Sequence, residues 1–358
     1  MFERSKVISA WQTGILLFIL LFANKILLLP SLIETKSKIE PILVVGILFL
    51  FEIGLLVLFW RTKKKFPQES FFDILRQKFG KIVCIVLCMV TCFYFFGKAV
   101  FLYNTVHSFL RNLVYKEAPE LLFLVGFLPV VNFLAFSGLT AHARTMQIFF
   151  PFIFLTILFC IIVGGFRIDE NLILYPVQAI SIVKNTAKFF GMFGDSLFLF
   201  VVMDRISVKQ GQWKIVFSLA GIGMFLSLAV TIVFVLSFTY TAFLHPFALF
   251  ELLSYVKEYE GLGRIDILPV VVIVFLAFYQ LGIYFCAMTV CLENIFQKMG
   301  RVHLLAIIDT LFVLSVSFFM TGLSKTIYIA VTLSPYMAVF SFVVFPVIVL
   351  LVNMRRRV

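Results

Sequence analysis

Ten apolar stretches, each near the length that crosses a bilayer, follow one another along the chain. They lie at about residues 7–30, 41–60, 82–110, 119–138, 145–165, 186–204, 213–243, 264–297, 303–322 and 328–352. A helix needs about 20 apolar residues to span hydrocarbon, and within a bilayer only helices and closed barrels satisfy their own backbone polar groups. The pattern predicts an all-α integral membrane protein with ten transmembrane helices, forming one domain over residues 1–358. Little chain is left for a soluble domain: 62% of residues are apolar and 13% charged, outside the usual range for soluble proteins. The first stretch follows a polar leader, Met1 to Lys6, and runs through Trp11, Gln12, Asn24 and Lys25 with no small-residue cleavage site. It reads as a retained helix.

Lysine and arginine distribution sets the orientation, because short cytoplasmic loops gather positive charge. With the N-terminus inside, the cytoplasmic face receives the basic run from Arg61 to Lys81, then Arg144, Arg205, Lys209, Lys214, Lys298, Arg301 and Arg355 to Arg357. The opposite face holds half as many, among them Lys36, Lys38, Lys184 and Lys325. An even number of spans with both termini cytoplasmic follows. The net charge of +12 is then a matter of topology, so nucleic acid is not an expected partner; membrane lipid is. Cys84, Cys88 and Cys92 share a face of the third span, but no histidine joins them and their vertical spacing does not suit one tetrahedral metal. No cofactor or metal is expected. With no phosphate loop or hydrolase motif present, neither is enzymatic activity.

Inside the sixth stretch lies Gly191-Met192-Phe193-Gly194-Asp195. Glycine-broken helix is tolerated in a membrane only where protein or a cavity surrounds it, and an ionisable residue at that depth marks a ligand, ion or proton site by default. Many carriers consist of two inverted halves with a broken helix at matching positions. Ten spans divide into five plus five, about 7–165 and 186–352, which pairs the first span with the sixth. The first carries Ala23-Asn24-Lys25 in mid-span, ahead of Leu29-Pro30. A polar interruption in both opening helices predicts broken helices one and six.

Several separated segments carry a resemblance to a known family. They are Ile8-Ser9-Ala10-Trp11-Gln12 with Leu28-Leu29-Pro30; Phe66-Pro67 with Phe71-Phe72-Asp73-Ile74-Leu75 and Phe79-Gly80-Lys81; Gly138-Leu139 with Arg144 and Phe150-Pro151-Phe152; Asn171-Leu172 with Pro176; and Gly263-Arg264-Ile265-Asp266. In order and spacing the chain resembles the spore germination permeases, the B subunits of bacterial germinant receptors, within the amino acid/polyamine/organocation superfamily. The resemblance implies the LeuT-like fold of two inverted five-helix repeats. It also implies a small germinant, typically an amino acid, held at midplane between helices one, three, six and eight. Partners would be a larger A-type subunit and a lipoprotein C-type subunit in the spore inner membrane, with binding that signals or gates ion release. The chain departs from the superfamily in helix one, where Ala23-Asn24-Lys25 stands in place of glycines.

Candidate ligand contacts are therefore Ala23, Asn24 and Lys25, then Gly191, Phe193, Gly194 and Asp195, then Tyr279 and Gln280. Ion coupling or charge pairing falls to Lys25, Lys98, Asp195 and Glu52. Two roles are open to Lys25, a ligand contact and an internal ion pair. Two are open to Asp195, a ligand or proton site and a cap on the second half-helix. A Lys98–Asp195 or Lys25–Asp195 pair is expected, with Glu52 facing the bundle. Glu293 and Asp309 are expected in interfacial salt bridges with Lys298 and Arg301, while Tyr279 could also serve as aromatic packing. His245-Pro246 with Glu251, Glu258 and Glu260 reads as an outer loop or gate. The second functional reading is an autonomous proton-coupled carrier for an amino acid or organic cation.

Overall fold

The computed structural model describes residues 7–33, 37, 39–113, 120–166, 168, 176–254, 267–319 and 323–354. Glu258, Glu260, Asn171-Leu172, Gly263 to Asp266 and Arg355 to Arg357 lie outside them. Among the described residues all regular structure is helical apart from an isolated bridge between Ile8 and Ile206.

Among the described residues, seven helices are long and apolar enough to cross a membrane: Ala10–Leu27, Ile39–Lys65, Lys81–Asn112, Leu139–Gly165, Trp213–Phe238, Ile267–Ile295 and Val331–Met354. The last continues through a π turn, Phe340–Val344. The helices used below are α1 (Ala10–Leu27), α2 (Leu29–Leu32), α3 (Ile39–Lys65), α4 (Phe71–Phe79), α5 (Lys81–Leu113), α6 (Glu120–Ser137) and α7 (Leu139–Gly165). They are followed by α8 (Ala179–Phe189), α9 (Phe198–Val201), α10 (Trp213–Phe238), α11 (Ala248–Ser254), α12 (Ile267–Ile295), α13 (Arg301–Phe319), α14 (Leu323–Val339) and α15 (Phe345–Met354).

The apolar character of α1 runs all round the helix, as in a helix enclosed by others, and 16 of its 18 residues are buried against 10 of the 27 in α7. Ser9 and Gln12 close its N-terminus with a reciprocal capping box, which satisfies two of the amides that every helix start leaves free. Around α1 pack α10, α7 and α12, and α12 in turn packs on α5, α6 and α13. Phe18 stacks on Phe22 and meets Phe150 of α7 edge-on. Between α3 and α5 lies α4, amphipathic, with Phe71, Phe72, Ile74 and Leu75 buried and Asp73 exposed.

Two features differ from the sequence expectation. Helix one is unbroken through Ala23-Asn24-Lys25; its interruption falls at Leu28, before α2. The cause is Pro30, which lacks the amide that would bond back toward α1, whereas alanine, asparagine and lysine can all continue a helix. The sixth segment begins earlier than expected, at Ala179, and breaks as predicted. After α8, the 3₁₀ turns Phe190–Met192 and Asp195–Leu197 flank Phe193 and Gly194, and α9 follows.

Small residues set the distance between α1 and α10. A carbon added at Gly14 would lie 2.5 Å from Leu219 Cδ1 and 2.9 Å from its Cβ, while one at Gly46 of α3 would meet nothing within 4 Å. Gly14→Leu should therefore cost at least the ~1–3 kcal/mol typical of overpacking, seen as a lower unfolding temperature in detergent. Gly46→Leu should leave that temperature unchanged; equal losses would contradict the close α1–α10 contact.

Candidate functional site

Gly194 has φ +89° and ψ 14°, a left-handed conformation that costs other L-residues roughly 1–2 kcal/mol. Phe193 beside it is extended. This pair turns the carbonyls of Met192 and Phe193, and the amides of residues 194 to 196, out of the helical ladder. The break is also packed too tightly for side chains. A carbon at Gly194 would collide with Tyr94 Oη and Ser341, and one at Gly191 would run into the Ser334 backbone.

Unpaired amides in hydrocarbon cost several kcal/mol each, and a carboxylate of α3 satisfies them. Glu52 Oε1 accepts from the amides of Gly194 at 2.6 Å and Asp195 at 3.1 Å. Its Oε2 accepts from Ser196 N at 3.4 Å and Ser196 Oγ at 2.6 Å. Of the two roles open to Asp195, the cap is thus taken by Glu52, and Asp195 is free to face elsewhere. On the carbonyl side, Lys98 Nζ donates to Met192 O at 3.2 Å and Phe193 O at 2.9 Å, and Tyr94 Oη donates to Phe193 O at 2.8 Å.

Asp195 carries the centre of the cluster. One carboxylate oxygen pairs with Lys25 Nζ, and the other accepts from Lys98 Nζ at 2.8 Å and from Tyr284 Oη at 2.8 Å. Lys25 also donates to Leu20 O at 2.9 Å, and Gln280 Nε2 donates to Tyr284 Oη at 2.6 Å. Both expected pairs therefore exist at once. The side chains of Lys25, Lys98 and Asp195 are 1%, 3% and 0% exposed, and Glu52 is buried as completely. Two ammonium groups face two carboxylates, so the cluster is neutral, as a desolvated set of charges must nearly be.

Helices α1, α5 and α12 reach this one carboxylate through Lys25, Lys98 and Tyr284, and α3 reaches the amides beside it through Glu52. Lys25, Lys98, Glu52, Phe193, Gly194 and Asp195 are in contact there, and Gln280 joins through Tyr284. Gly191 lies one turn away, its amide bonded to Ser334 Oγ at 2.9 Å. Ala23 and Asn24 are buried, and Asn24 Oδ1 has no hydrogen-bond partner among the described residues. Tyr279 is elsewhere, packed edge-on against His142 at 5.0 Å. Tyr94, Tyr284, Ser196 and Ser334 were not anticipated. A signal existed for the two tyrosines: Tyr94 precedes Lys98 by four residues and Tyr284 follows Gln280 by four, spacings that share a helix face.

Farther out, Glu293 bridges Arg205 at 3.3 Å and Arg301 at 3.5 Å. Asp309 instead accepts from Asn132 at 2.8 Å: two turns into α13, it meets α6 before it meets the loop. Cys84 donates to Phe72 O, and no metal-holding group of His, Cys, Asp or Glu occurs among the described residues. His245 lies 3.4 Å from Glu251.

Membrane-length helices packed round a broken segment, with buried ion pairs at the break, define a helical membrane permease. The chain belongs to the spore germination protein family, whose spore permease model matches residues 7–325. Its fold is similar to that of Mhp1, a nucleobase-cation-symport-1 family transporter solved in a closed conformation with bromovinylhydantoin bound. The TM-score is 0.62 at 14% identity, covering 95% of this chain and 79% of that one. No match was found among curated proteins.

Removing one member of a buried ion pair typically costs about 3–5 kcal/mol. Asp195→Asn, which leaves the cluster with excess positive charge, should lose stability on that scale, and Lys25→Met should lose it with the opposite sign of charge. The double variant restores neutrality and should recover at least about half of the summed loss, a coupling read from a double-mutant cycle. Additive losses in thermal unfolding would rule out the coupled cluster.

Proposed function

We propose that this chain is the membrane subunit of a spore germinant receptor, binding a small germinant such as an amino acid at the helix break and signalling or gating ion release. One observation carries the reading. The chain's own carboxylate, Glu52, sits on the freed amides of the break, and its own ammonium, Lys98, sits on the freed carbonyls. These are the two groups that a zwitterionic amino acid carries. A germinant would bind by competing with them, releasing a lysine or a carboxylate from the break and so changing how α3 and α5 are held. Such exchange suits a sensor, because occupancy is converted into a rearrangement of helices.

The same reading takes the chain as ten spans in two inverted repeats, with both termini cytoplasmic, in the spore inner membrane beside A-type and lipoprotein C-type subunits. Family membership supports that setting, and the convergence of five helices on Asp195 supports the location of the site. Asn24 Oδ1 and Gln280 Oε1, buried acceptors with no partner among the described residues, are further places for a ligand's donors. The alternative, an autonomous proton-coupled carrier for an amino acid or organic cation, draws on the lysine–aspartate–lysine arrangement as a proton site.

Screening amino acids by thermal shift on the purified protein tests the site. A ligand at a hundred times its Kd should add about 2.7 kcal/mol of stability, and Asp195→Asn and the shape-conserving Tyr284→Phe should each reduce or abolish the shift. A hit unchanged in both variants would overturn the assignment of this site. Uptake of labelled amino acid by the protein alone in liposomes would favour the carrier; binding without uptake is the expected result.

A further inference from the structure

At the end of the bundle where the basic loops gather, between the last turn of α3 and the first turn of α10, lies a cavity of about 1090 Å³. Its lining includes Lys63, Lys64, Lys209 and Lys214 with one carboxylate, Asp204, so it carries a net excess of three positive charges. Trp60 and Trp213, two of the chain's three tryptophans, form its aromatic wall, continued by Phe217 one turn deeper along α10. Lys64, Lys209 and Lys214 are exposed and make no ion pair among the described residues, although Lys64 lies over the Trp60 ring at 5.7 Å. Lys63 differs from them: it is buried, and donates to Met203 O at 2.7 Å.

We infer that this cavity binds the headgroup of an anionic glycerophospholipid. Both α3 and α10 are of membrane-spanning length, and the cavity opens where one ends and the other begins, the level at which lipid phosphates lie. Tryptophan is enriched at that level because its ring is apolar and its N–H is polar. Basic pockets between membrane helices on the positively charged side are suited to phosphate headgroups. The lysines supply the charge for one or two phosphates, and Trp60, Trp213 and Phe217 supply an apolar wall for glycerol and the first methylenes. A soluble acidic partner would use the lysines but has no need of the aromatic wall.

The site is joined to the break by a short path. Its wall includes Asp204, Ile206 and Val208, the segment that follows α9, and Lys63 ties α3 to Met203 in that segment. Ile206 is in turn paired with Ile8 ahead of α1, through Ile8 N to Arg205 O at 2.8 Å and Ser207 N to Ile8 O at 3.0 Å. A headgroup seated here therefore contacts the chain that leaves the broken segment and is positioned to stabilise the arrangement of α1, α3 and α10.

Native mass spectrometry and thermal unfolding of the detergent-purified protein, with phosphatidylglycerol, diphosphatidylglycerol or phosphatidylcholine added, test the proposal. The two anionic lipids should be retained and raise the unfolding temperature, less so as salt is added, while phosphatidylcholine should do neither. At about fivefold per lysine, the combined variant Lys64→Gln, Lys209→Gln, Lys214→Gln should weaken retention of anionic lipid roughly a hundredfold. The three lysines are exposed and unpaired, so its unfolding temperature without lipid should stay at the wild-type value. Trp60→Ala should also weaken lipid retention, which a purely ionic surface would not show. Equal retention of phosphatidylcholine, undiminished retention by the triple lysine variant, or the same stabilisation by inorganic phosphate would each overturn a lipid site. Displacement of bound lipid by polyglutamate that also protects the Trp60→Ala variant fully would assign the cavity to an acidic partner instead.

Discussion

A carboxylate from a neighbouring helix makes the broken segment possible. Gly194 can adopt the left-handed turn, but the turn leaves three amides in a region with no water to take them, and Glu52 accepts from all three. The same helix works at the other end of the segment, where Glu40 accepts from Gln178 N at 2.9 Å and Ser181 Oγ at 2.7 Å at the start of α8. Glu40 and Glu52 stand twelve residues apart on α3, roughly 18 Å along its axis. One helix thereby sets the positions at which both halves of the broken segment begin. Negative charge at a helix start is favourable in itself, and here it also decides where the chain can depart from helix at all.

With Glu52 committed to the amides, Asp195 turns to the lysines, and the remaining geometry follows from neutralising it. Lys25 comes from α1, the most buried of the spanning helices, and Lys98 from α5; each would be costly alone at this depth. Together with Asp195 and Glu52 they make a neutral set whose hydrogen bonds are completed by Tyr94, Tyr284 and the carbonyls of the break. Burying such a set is seldom a gain in stability over apolar packing, and its best-attested use is in specifying an arrangement or a switch. Five helices are held at one point by groups that a small polar solute could imitate. That property links the fold to the receptor reading.

Much of the architecture could be read from the chain. Long apolar stretches, the break at Gly191 to Asp195 and the inward-facing Glu52 all rest on local rules of hydrophobic length and backbone freedom, and those rules act within a few residues. The site was legible as a set of charges in the wrong solvent. Which charge met which was not: Lys25 and Asp195 are 170 residues apart, and no pattern in either segment states the distance between them. Misreading Ala23-Asn24-Lys25 as a second break came from treating polarity as a sign of unwinding. Polarity in a membrane helix demands a partner, and when a partner exists the helix runs on.

The amino-acid sequence by itself determined that the chain crosses a membrane many times, that one segment must break, and that buried lysines and carboxylates must find one another. Hydrophobic length and glycine freedom act locally, so they survive in one dimension. Only the tertiary structure decided that Glu52 caps the break, that Asp195 joins two lysines at once, and that Trp60 and Trp213 enclose a basic cavity. Those outcomes depend on Coulomb attraction and packing between helices far apart in the chain, and distance in space is what a linear sequence does not record.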